Sequence, residues 1–132
     1  MKSNTAVQCA TDIESLIRTI RGQKVILDAD LAFIYGVPTK RLNEQVRRNR
    51  NRFPADFLFR MTREEAEAVL RSRSQIATLK RGHNIKYQPY AFTEQGAIMA
   101  ANILNSPRAV RMSVYVVRAF VRMRELLGGP AN

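Results

Sequence analysis

The chain has 132 residues, which suits one domain around one core. Lys and Arg number 22 against 11 acids, a formal net charge of +11, and this favours a polyanionic partner, nucleic acid before an anionic membrane surface. A single cysteine, Cys9, and a single histidine, His83, exclude an internal disulfide and a zinc-ligand cluster. The N-terminal stretch lacks the apolar run of a signal peptide, and no apolar stretch approaches the roughly 20 residues that span a bilayer. A soluble, cytoplasmic chain with no cofactor, no metal and no membrane association is expected.

Residues 1–10 are small and polar and read as a flexible arm, with one domain over 11–127 and a flexible tail at 128–132. Ile13–Ile20 and Lys24–Leu27 are rich in β-branched residues and flank Arg21-Gly22-Gln23, which predicts two short strands and a tight turn. Helix competes over the first of these, because Ile13, Leu16, Ile17 and Ile20 also fit a helical spacing. Asp28 is placed to cap a short helix that ends at Gly36, where a left-handed residue closes a helix. Pro38 and Thr39 open a second helix, with Leu42, Val46 and Phe53 on its apolar side.

Pro54 stops that helix near Arg52, and Phe57–Met61 predicts a largely buried strand. Thr62 and Glu65 form a capping box for a helix to about Arg71. Residues 71–88 are basic, without clear period, and read as an exposed loop. Tyr90–Phe92 predicts a strand, Thr93 caps a helix to about Asn105, and Ser106-Pro107 starts a long helix to Leu127. The expected class is α+β: a small β-sheet with an embedded helix-turn-helix, followed by a helix pair with a long C-terminal helix.

The segment Asp28–Asn51 carries the chemistry. Helix, glycine turn and helix make a helix-turn-helix unit. Ala32 lets the helices approach, and Leu31, Val37, Leu42 and Val46 supply the wedge between them. Base edges in a major groove are read by long donors and amides, Arg for guanine and Asn or Gln for adenine. Thr39, Lys40, Arg41, Asn43, Glu44 and Arg47 stand at the N-terminal end of the second helix, which is the part that meets bases in such units. Arg48, Arg50 and Arg52 lie further along and suit phosphates. The plain alternative is a solvated basic helix face.

Three segments, IRGQKVILDADLAFIYGVPTKRLNEQVRRNRNRFPADFLFRMT, PYAFTEQGAIMAANIL and NSPRAV with VVRAFVRMR, resemble the phage "ORF six N-terminal" domain family, relatives of the KilA-N DNA-binding domains. The resemblance runs from about Ile13 to Arg124. It implies an α+β DNA-binding domain, typically of phage or prophage antirepressors and related transcription regulators. It transfers no individual DNA contact, so the residues above rest on their own geometry.

Arg71, Arg73, Lys80, Arg81 and Lys86 mark the basic loop as a possible wing along the phosphate backbone, where each neutralised phosphate releases counterions. In the last helix Val110, Val114, Val117 and Val121 form one stripe, while Met112, Val116, Ala119, Phe120 and Met123 fill much of the remainder. A helix apolar on most sides needs cover on most sides, so this stripe is expected to form a homodimer interface, which also suits two DNA half-sites. Glu94 and Gly96 in AFTEQG read as helix start and close packing, and Asp28 with Asp30 is too sparse for a nuclease metal site. No catalytic residue is expected. The expected function is sequence-specific binding of double-stranded DNA as a phage-type regulator; the alternative is a module that binds a repressor protein through the apolar C-terminal helix.

Overall fold

The computed structural model describes residues 13–74 and 88–126. The arm at 1–10, with Cys9, the basic residues Lys80, Arg81 and Lys86, His83, and the tail at 128–132 lie outside the described residues, as does the Arg73 side chain. The architecture is α+β, built on a four-stranded antiparallel sheet of order β1-β2-β4-β3.

Residues 13–16 are helical, and only Arg18–Ile20 forms strand β1. The apolar residues of this stretch serve both periods: Ile13 and Ile17 enter the core at helical spacing, and Ile20 packs from the strand. β1 turns into β2 (Gln23–Leu27) through Arg21 and Gly22, with Ile20 facing Gln23. Both turn residues have positive φ, 55° and 77°, as a two-residue hairpin twisted to match its strands requires.

β2 is central, and its Val25, Ile26 and Leu27 are buried on alternating faces. Ile26 joins Phe92, Tyr90 and Leu58 in the main core; Val25 and Leu27 join Ile20, Met61, Ala66 and Ala91 in a smaller one. Period-two alternation thus divides the sheet between two helical layers. The main-core face carries α1 (Asp28–Tyr35), α2 (Thr39–Arg48), α4 (Glu94–Leu104) and α5 (Pro107–Leu126). The other face is covered by α3 (Arg63–Ser74), through Ala66 and Val69. Each fully buried large side chain, such as Leu31, Leu42, Phe92 or Phe120, contributes about 1.5–3 kcal/mol by leaving water.

Edge strand β3 (Leu58–Arg60) pairs with β4 (Tyr90–Phe92), Arg60 facing Tyr90. Thr62 and Glu65 make the reciprocal capping box, 3.1 Å and 2.9 Å. α3 then runs to Ser74, so Arg71 and Arg73 stand on a helix and not in a loop. The run of helix formers from Glu64 to Leu70 explains the extra turn. Thr93 caps α4 by accepting from the Gly96 N–H. Gly96 has no substitute there, because a Cβ would lie 1.9 Å from the Phe57 carbonyl oxygen. Ser106 accepts from the Ala109 N–H and starts α5. On α5, Met112, Val116, Ala119 and Phe120 face the core; Val110 and Val114 face outward, 52% and 47% exposed, while Val117 and Val121 are half-buried.

Candidate nucleic-acid interface

α1 ends in a left-handed Gly36, φ 75°. The Gly36 N–H donates to Phe33 O and the Val37 N–H to Ala32 O, the paired bonds of a Schellman close. The chain reverses into α2 behind Pro38, and Leu31, Ala32, Leu42 and Val46 are buried between the helices, with Val37 half-buried beside them. The Arg108 stem crosses Gly36, and its Nε donates to the Ile34 carbonyl at 3.0 Å, so α5 holds the turn from outside.

α2 is shorter than the expected 39–52 span. Asn49 leaves the helix at φ −119°, its side-chain amide donating back to Gln45 O, and Arg50–Arg52 form a single 3-10 turn. Phe53 then turns into the core before Pro54. Arg50 and Arg52 are exposed on this turn, off the line of the helix proper.

Around α2, Lys40, Arg41, Arg47 and Arg48 are exposed, and Thr39 and Glu44 are half-buried. None of these four cations has an ion-pair partner among the described residues. The first turn of α2 contains no acid, which leaves its N-terminal end electropositive.

Asn43 behaves differently from its neighbours. It lies on the flank toward the sheet, and its Nδ2 donates to Asp28 Oδ2 at 3.1 Å. The same oxygen accepts from the Tyr90 N–H at 3.2 Å. Asp28 is therefore not a cap: Leu27 holds the N-cap position, and the buried Asp28 carboxylate ties α1, α2 and β4 together. Asp28 Oδ1 and Asn43 Oδ1 are both buried without a hydrogen-bond partner. Burial raises the Asp28 carboxyl above its ordinary range, opposed by the bonds from Asn43 and from the Tyr90 and Ala29 N–H groups and by the Arg60 charge.

Opposite α2, across an open groove of about 330 Å³, stand Arg60, Gln88 and Tyr90; Thr39, Lys40, Asn43 and Arg47 line the near side. Four of the residues chosen for base readout thus share one groove. Arg60 was not among the expected residues, although it is the single cation in the apolar run Phe57–Met61 and that oddity was the signal. Its guanidinium lies 4.9 Å from the Tyr90 ring centre and donates to the Tyr90 hydroxyl at 3.2 Å. Arg71 is exposed on α3, in the layer on the other side of the sheet, and is not brought to this face.

Among the described residues no group of three or more His, Cys, Asp or Glu side chains is arranged to hold a metal, and no helix is long and apolar enough to cross a membrane. Neither comparison with curated proteins nor comparison with solved structures finds a match. The sequence profile of the ORF6N domain matches residues 15–103, more than half of the chain and all of α1, α2, the sheet and the AFTEQG segment. The chain belongs to the phage ORF6N domain family.

Proposed function

We propose that the chain is a sequence-specific double-stranded DNA-binding regulator of phage type, antirepressor-like, in which α2 reads the major groove. One observation carries this reading: α2 is the second of two short helices joined through the left-handed Gly36, and it presents Lys40, Arg41, Arg47 and Arg48 outward, unpaired among the described residues. Membership of a family of phage regulatory proteins supports it. Lys40, Arg41, Glu44 and Arg47 read base edges, and Arg48, Arg50 and Arg52 hold phosphates. Asn43 acts chiefly by seating α2 on Asp28, since one of its amide N–H donors is held there and its Oδ1, the acceptor a two-bond contact to adenine needs, is buried.

Selection of bound sequences from a random duplex pool tests the reading. A recovered consensus is expected, with binding that survives competitor DNA at rising salt. Arg47→Ala should cost about 1–3 kcal/mol at one position of that consensus. Recovery of no consensus, or binding that fades with competitor, overturns sequence-specific recognition.

Val110 and Val114 favour a second element of this proposal, a homodimer through the outer face of α5, which suits paired half-sites. The competing module that binds a repressor protein would use the same face, and a repressor bound without DNA affinity would favour it.

A further inference from the structure

The groove beside α2 does not end at Arg60. A second stretch of about 600 Å³ continues along the flank of α2 toward Arg50, past Phe53 and Leu58. Arg60 and Tyr90 line both stretches, so together they form one trench between the reading helix and edge strand β3. We propose that this trench holds the sugar–phosphate backbone of one strand of the duplex that α2 reads, with Arg60 as its central phosphate contact and Arg50 as its distal one. The inference rests on the DNA-binding reading above and adds the path of a strand.

Charge is the first argument. Lys40, Arg47, Arg60 and Arg50 follow one another along the trench, and no acidic side chain lines either stretch. The Asp28 carboxylate is buried, 1% exposed, and is taken up by Asn43 and Tyr90. A chain of anions therefore meets cations without meeting a competing carboxylate. Preorganisation is the second argument. Arg60 is exposed, yet the Tyr90 ring and hydroxyl fix its guanidinium. One of its five N–H donors is used there, which leaves others for an oxygen anion. Shape is the third. Val46, Phe53 and Leu58, all buried, give the larger stretch an apolar floor, with Ala55 at its edge. Such a floor suits the deoxyribose between phosphates and is superfluous for an isolated inorganic anion.

The test measures duplex binding by fluorescence anisotropy across a salt series, using the full chain and its Arg60→Gln and Arg50→Ala variants. Each variant is expected to weaken binding to all duplex sequences alike. Each should also make the slope of log K against log salt less negative by about 0.9, the value of one lost phosphate contact. The exposed Arg50 side chain has no ion-pair partner among the described residues, so Arg50→Ala keeps the wild-type melting temperature and guards against a folding artefact in Arg60→Gln. A wild-type slope in either folded variant overturns the proposal. So does displacement of the duplex by AMP from the wild type but not from Arg60→Gln, which would make the trench a nucleotide pocket. A wild-type chain with no duplex affinity at any salt overturns the proposed function, and this inference with it; a wild type that binds while both variants keep its slope overturns the strand path alone.

Discussion

Replacing Asp28 tests how α2 is seated. Its Oδ2 accepts from the buried Tyr90 N–H and from the half-buried Asn43 amide, and among the described residues no other side-chain acceptor serves either donor. Asp28→Ala leaves both unsatisfied. A buried orphan donor costs about 1–3 kcal/mol, and Asn43, nearer the surface, recovers part of its share from water. A loss of about 2–4 kcal/mol is expected from these two donors. Asp28→Asn should behave oppositely. Its carbonyl oxygen can accept both bonds, its NH2 replaces the unpartnered Oδ1, and the unpartnered acceptor of the same pair is Asn43 Oδ1. It also removes a carboxylate whose ionisation burial opposes.

The sign with pH follows from the raised folded value of Asp28. Below the ordinary carboxylate range both states of the chain carry a neutral Asp28, and its contribution is fully present. Above that range the unfolded carboxyl ionises first, and stability is lost as pH rises through the folded value. Asp28→Asn removes this dependence, so its advantage over wild type should grow from acid toward neutral pH. Urea denaturation followed by circular dichroism at several pH values measures all three chains. An Asp28→Ala variant within about 0.5 kcal/mol of wild type, or an Asp28→Asn variant as unstable as Asp28→Ala, would refute the account.

Gly96→Ala drives a methyl into the Phe57 carbonyl and should cost about 3 kcal/mol or more, read as a lower urea midpoint or loss of soluble protein. Glu65 is held down to about 2, chiefly by the Arg21 guanidinium at 2.8 and 2.9 Å and also by Thr62. Its folded value lies below the unfolded one, so its contribution is present above the ordinary carboxylate range and lost as pH falls toward about 2. Glu65→Gln should flatten that acid limb in pH-dependent denaturation. Val114→Asp puts a charge on the outer stripe of α5; sedimentation should show a dimer dissociating to monomer, and an unchanged mass would remove the stripe from any self-association.

Much of the fold is local enough to read along the chain. Gly36, the Thr62–Glu65 box, Thr93 and Ser106-Pro107 each specify a helix end through bonds spanning a few residues, and each appears where its chemistry predicts. Ile13–Ile20 resisted reading because four apolar residues satisfy both periods, and the chain uses helix and then strand. The early end of α2 turned on Asn49, whose side chain competes for a backbone carbonyl. On the site, Lys40 and Arg47 were legible as outward cations of an amphipathic helix. The engagement of Asn43 was not, since its partner sits fifteen residues upstream and its geometry depends on Tyr90, in β4. Arg60 joins the groove only because β3 pairs with β4, a long-range contact that no local pattern encodes.

The Arg108 clasp bears on where the family's defining segment ends. The matched stretch stops at residue 103, yet the guanidinium that occupies the Ile34 carbonyl comes from just past it, and the apolar plug of Ala109, Met112, Val116, Ala119 and Phe120 follows. A fragment cut at 103 would leave a hollow beneath α1 and a slack hinge at Gly36. The seating of α1 and the turn that leads into α2 is thus governed from a stretch of polypeptide that the shared signature does not include.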